Sequence, residues 1–74
     1  MKLIEAAEQI LRKFPNRYLT AREICDLAIQ QELIFPKSNK PWVQMQAVLR
    51  KQLAIGKTSD GKSSLVNNTK GWKI

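Results

Sequence analysis

The sequence predicts a mainly α domain: three helices followed by a small C-terminal β-hairpin. Apolar residues recur at helical spacing along most of the chain up to Gly56. Two helix-start signals, Thr20-Ala21-Arg22-Glu23 and Pro41, divide that stretch into three. Beyond Gly56 the helical period gives way to short runs separated by turn residues. At 74 residues the chain makes one small domain of modest stability. Its hydrophobic fraction of 43% is ordinary for a globular protein, so disorder is not expected.

In the first helix Leu3, Ala7, Ile10, Leu11 and Phe14 share one side, and Glu5, Glu8, Gln9, Arg12 and Lys13 fall on the other. That is an amphipathic helix of about three turns. Pro15 ends it, because the residue before a proline resists helical dihedrals. Asn16 and Arg17 form a short connection.

The second helix opens on a capping box. The Thr20 oxygen can accept from the N–H of Glu23 while the Glu23 carboxylate reaches back to the N–H of Thr20. Leu19 and Ile24 take the positions of a hydrophobic staple around it. The helix is expected to bury Ile24, Leu27 and Ala28 and to end near Glu32. Leu33, Ile34 and Phe35 form an apolar exit before Pro36.

After a polar loop, Pro41 opens the third helix, where its missing N–H costs nothing. Trp42, Met45, Leu49 and Leu53 form one buried stripe. Lys40, Gln44, Ala47 and Lys51 form the opposite stripe, with Arg50 and Val43 on its shoulder. Gly56 is a natural stop. Residues 57–63 read as a basic loop. Residues 64–67 can be a strand, Asn68-Thr69-Lys70-Gly71 a turn, and Trp72-Lys73-Ile74 the returning strand. Such a hairpin is marginal alone and must pack on the helices. Leu19 can supply a short first strand to which it adds. This is the order of a winged helix, in which the hairpin is the wing.

Charge is distributed unevenly along this plan. Residues 1–35 carry five basic and five acidic groups, whereas residues 36–74 carry eight basic groups against Asp60 alone. The whole net charge of +7 therefore belongs to the second half. A neutral scaffold joined to a basic surface points to an anionic partner, and nucleic acid is the commonest large one.

Other classes find little support. There is no histidine, which removes the usual general base and the commonest metal ligand. With a single cysteine, Cys25, an internal disulfide is excluded, and with no histidine beside it a structural zinc site is not expected. That cysteine count favours a reducing, intracellular setting. The chain begins on an amphipathic segment rather than an apolar one, so it does not read as a signal peptide, and no apolar run is long enough to span a bilayer. No paired carboxylate or nucleophile-base set stands out, and Gly56-Lys57-Thr58 lacks the earlier glycine of a phosphate-binding loop. An enzyme is not expected, nor a cofactor.

Leu19-Thr20-Ala21-Arg22-Glu23-Ile24, Lys40-Pro41-Trp42 leading to Met45-Gln46-Ala47-Val48-Leu49, Ser64-Leu65-Val66 and Gly71-Trp72-Lys73-Ile74 together resemble the HARE-HTH winged-helix family. That family shows an LT-x-x-EI start to its second helix, a KTP start to its third, and a wing strand closing on Gly-aromatic-x-Leu. The resemblance implies a DNA-directed module of the kind fused to restriction endonucleases, repair enzymes and chromatin proteins, and concerned in some cases with modified bases. Two departures stand out. Lys40 replaces the threonine before the proline, which forfeits a side-chain cap worth about 1 kcal/mol unless Ser38 or Asn39 substitutes. It also puts a cation at a helix start, where the dipole disfavours one. The second departure is the long, basic loop of residues 57–63.

The candidate DNA-binding residues are therefore Lys40, Gln44, Arg50, Lys51, Lys62, Lys70 and Lys73. Gln44 suits an adenine edge, and Lys40, Arg50 and Lys51 suit phosphates. The wing lysines serve equally well as phosphate contacts or as protection against edge-to-edge pairing. Trp42 and Trp72 can stack on bases, but core packing suits both better. Cys25 reads as a small buried residue rather than a redox sensor. The expected partner is double-stranded DNA, with the domain working inside a larger protein beside a fused enzymatic domain. The alternative is a winged helix that docks on an acidic protein surface.

Overall fold

The computed structural model describes residues 2–74. It contains α1 (Leu3–Lys13), α2 (Ala21–Gln30), α3 (Pro41–Ile55), β1 (Val66–Asn68) and β2 (Gly71–Lys73), the two strands pairing antiparallel. This is a winged helix-turn-helix fold.

The core forms where the three helices meet. Ala6, Ala7, Ile10 and Leu11 of α1 pack with Ile24, Cys25 and Ala28 of α2 and with Met45 and Leu49 of α3, none more than 1% exposed. The alanines let the helices approach closely; the larger side chains fill the space between. Burial raises the pKa of the Cys25 thiol, and neighbouring Asp26 raises it further. The thiol therefore stays protonated and behaves as a small apolar group.

The capping box forms at both halves. Glu23 N–H donates to Thr20 Oγ1 at 3.2 Å, and Thr20 N–H donates to Glu23 Oε1 at 3.2 Å. The flanking Leu19 and Ile24 are both buried. Helix α2 ends at Gln30, two residues before the expected stop, and Leu27 is half-buried rather than buried. The early stop has a visible cause. Glu32 adopts a left-handed backbone (φ 58°), so that Leu33 N–H reaches Ala28 O and Glu32 N–H reaches Ile29 O. That is a Schellman closure with glutamate where glycine is usual, and no glycine in the sequence announces it.

The wing joins the helices through Leu19. Leu19 N–H donates to Trp72 O at 2.9 Å and Trp72 N–H donates to Leu19 O at 2.7 Å. The expected first strand is thus a single bridging residue. Trp72 turns inward with Leu65, and each is 4% exposed. The hairpin is offset from expectation. Ser64 pairs back with Lys57 instead of joining the strand, and Asn68 pairs with Gly71 across a two-residue turn.

Glu8 departs furthest from its expected place. It belongs to the polar side of α1 by spacing, yet it is 2% exposed. The loop of residues 57–63 folds over it. Ser59 donates to its carboxylate from both the backbone N–H (2.7 Å) and the hydroxyl (2.6 Å). A buried charge needs such partners, and they come from about fifty positions away, beyond the reach of helical periodicity.

One turn further on, Arg12 grips Asp60 through Nη2 at 2.9 and 3.1 Å. Asp60 also accepts from the Thr58 hydroxyl (2.5 Å) and the Lys62 N–H (3.0 Å). The Thr58 and Lys62 bonds, with the Arg12 guanidinium beyond them, hold the Asp60 carboxyl at about 2. A depressed carboxyl stabilises the fold above its unfolded value and loses that effect as pH falls through the folded one. The stability difference between the wild type and Asp60→Asn is therefore expected to be constant near neutrality and to shrink as the pH falls from about 4 to 2. Urea unfolding of both proteins across that range measures it. A difference independent of pH contradicts the clasp.

Candidate nucleic-acid interface

Helix α3 packs through the buried Met45 and Leu49, with Trp42, Val48 and Leu53 half-buried against the core. Only the middle of the expected Trp42–Leu53 stripe is therefore fully buried, and the other side of the helix faces outward. Val43, Gln44, Gln46, Ala47, Arg50, Lys51 and Ala54 are all exposed. Gly56 closes it in the left-handed conformation (φ 84°), its N–H on Gln52 O. At the other end, Lys40 occupies the N-cap without giving a side-chain cap. Ser38 Oγ accepts from the Lys40 N–H itself (3.1 Å), one residue short of the first turn. The start of α3 is therefore an exposed helix end with a lysine beside it.

The wing brings a second set of groups against one shoulder of α3. A groove of about 370 Å³ runs between the start of α2, α3 and the wing. Arg22, Trp42, Gln46, Arg50, Asn67 and Thr69 are among the residues that line it. Arg22 lies over the Trp42 ring with its guanidinium carbon 4.8 Å from the centroid, a cation–π contact that fixes both side chains. The wing tip is stiffened by its own side chains. Asn68 Oδ1 accepts from the Lys70 N–H at 2.8 Å, and Asn67 Nδ2 donates to Gly71 O at 3.0 Å. Asparagine commonly braces turns in this way.

The seven candidate residues thus occupy distinct places. Lys40, Gln44 and Lys51 stand exposed on the outer side of α3, and Arg50 faces the wing groove. Lys70 is exposed in the wing turn. Lys73 lies on β2 with its ammonium 5.2 Å from the Tyr18 ring centroid. Lys62 is exposed on the loop clasped to α1, its N–H on Asp60 Oδ1. Gln44 also reaches the rim of a larger hollow, about 760 Å³, on the other shoulder of α3. Leu3, Leu33, Phe35 and Pro36 contribute apolar walls there. With Lys37 its one charged lining residue, that hollow is less suited to a polyanion than the wing groove with its two arginines.

Arg22, Gln46, Asn67 and Asn68 were not among the candidates read from sequence. Arg22 sits in the half whose charges cancel, which hid it. The usable signal was Leu19: once that residue pairs with the wing, the first turn of α2 must lie beside the wing as well.

Three helices with a wing, a polar and basic outer face on the third helix, and two arginines in the adjoining groove define a winged helix-turn-helix domain. The chain belongs to the HARE-HTH family: the model of that family, whose description includes the ASXL and restriction endonuclease HTH domains, matches residues 1–67. The match ends within β1, so the wing turn and β2 lie outside it. The family is a helix-turn-helix domain, generally DNA-binding and not itself catalytic. No curated protein and no solved structure shows a significant match. Among the described residues no helix is long and apolar enough to cross a membrane, and no acidic or cysteine cluster could hold a metal ion.

Proposed function

We propose that this domain binds double-stranded DNA, with α3 in the major groove and the wing along the adjoining backbone. The observation that carries the reading is the confinement of the entire +7 surplus to residues 36–74, which form α3, the wing and the loops that lead into them. Lys40, Arg50 and Lys51 contact phosphates, and Gln44 faces base edges. Arg22 joins Arg50 in the wing groove, and Lys70 follows the strand from the wing turn. Lys62 and Lys73 add flanking positive charge. The domain performs no chemistry itself and serves as the DNA-targeting part of a larger intracellular protein of the restriction, repair or transcription kind. The buried, protonated Cys25 thiol is compatible with a reducing compartment.

If four to six phosphates are neutralised, log K falls against log salt with a slope of about −4 to −5. Titration of a labelled duplex between about 50 and 200 mM salt measures that slope. The double variant Arg50→Ala/Lys51→Ala is expected to bind more weakly and to flatten the slope by about 2, one for each phosphate no longer met. Both side chains are exposed, so the fold should survive the change. No binding at low salt, or a slope unchanged in the variant, contradicts the assignment.

A further inference from the structure

The outer face of α3 is not uniformly polar. Val43 is 55% exposed, and Ala47, four residues on, is exposed as well. Residues four apart lie about 40° apart around a helix, so the two form one small apolar strip. The charged and amide groups of α3 surround it: Lys40 and Lys51 with Gln44 on one flank, Gln46 and Arg50 on the other. Scattered exposed apolar residues are ordinary. A strip centred within a basic helix face, in the half of the helix nearest its N-terminus, is a more specific arrangement.

In a helix-turn-helix domain the early residues of the recognition helix meet the base edges. The major groove offers one prominent apolar feature there, the C5-methyl of thymine. Its partner adenine presents the N6 and N7 pair that a glutamine amide can bond. Gln44 lies about 60° around the helix from Ala47, close enough to address the same or a neighbouring pair. We infer that Val43 and Ala47 read thymine methyl groups while Gln44 reads adenine, so that the domain selects A·T pairs at the centre of its site. The glutamine is what points to thymine rather than to another methylated pyrimidine. This inference rests on the DNA-binding reading and specifies which bases α3 prefers.

The test begins with selection of bound duplexes from a random library by the wild-type domain. The enriched sequence is then prepared with thymine and with deoxyuridine, which differs only by the methyl. Deoxyuridine is expected to weaken binding about fourfold for each methyl group withdrawn from the interface. Val43→Ser is expected to remove most of that difference while leaving the salt slope unchanged. It is a surface change, and its circular dichroism should match the wild type. Enrichment without A·T pairs, equal binding of the two duplexes, or a Val43→Ser variant as sensitive to the methyl as the wild type overturns the inference and leaves duplex binding standing. Absence of binding to any duplex overturns the proposed function itself.

Discussion

Leu49→Ala is expected to cost about 3–5 kcal/mol of folding stability. Leu49 is fully buried at the centre of α3, among core residues drawn from all three helices and the wing. Truncation loses the transfer energy of the removed carbons and leaves a cavity that the neighbouring side chains fill only in part. A domain this small has little in reserve, since a single core of this size supplies only about 3–5 kcal/mol. The variant should therefore be largely unfolded at room temperature. Ile55→Ala, six residues on in the same helix but 68% exposed, is the matched control and should change stability by no more than about 0.5 kcal/mol. Thermal unfolding followed by circular dichroism separates the two. A Leu49→Ala protein with near wild-type Tm contradicts the core described above.

The second large effect is expected at Gly71. Its φ of 132° is a conformation that other residues adopt only under strain. Space is lacking too: a Cβ at this position would stand 2.4 Å from Leu19 O, 2.5 Å from Leu19 C and 2.9 Å from Thr20 N. All three are backbone atoms, so no rotamer change relieves the clash. The alternatives are to move the wing or to break the paired Leu19–Trp72 bonds. Gly71→Ala should therefore destabilise the domain by about 3 kcal/mol, from backbone strain and lost hydrogen bonds together. Gly56→Ala provides the comparison. It shares a positive φ (84°) but has nothing within 4 Å of the added carbon, so only the left-handed cost of about 1 kcal/mol remains. Equal effects at the two glycines would show that Gly71 is not the close-packed joint between wing and scaffold.

Much of this fold was legible from local chemistry. The Thr20–Glu23 box, Pro41 and Gly56 mark their helix ends by mechanisms that act within a few residues, and the structure places those ends where they indicate. Leu19 as partner to the hairpin was also legible, because a two-stranded hairpin is marginal alone and must add to the scaffold. What escaped the sequence depends on distant contact. Glu8 looks like a solvent-facing residue until Ser59 is known to reach it. The close of α2 depends on Glu32 in a conformation that its type rarely adopts. The wing groove was half visible. Arg50 was readable from the third helix alone, but Arg22, Gln46 and the wing asparagines become neighbours only when the hairpin adds to Leu19. Charge counted by halves of the chain located the basic elements and overlooked an arginine that the fold carries across to them.

An amide chemical-shift titration of the 74-residue chain with a short duplex maps the interface residue by residue. The shifts are expected to concentrate on residues 40–51 of α3, on the first turn of α2 around Arg22 and on the wing around residues 67–71. The exposed face of α1 and the apolar hollow around Phe35 should stay unchanged. Shifts centred on α1 or on residues 33–38, or no shifts at low salt, would contradict a domain that meets DNA through its third helix and wing.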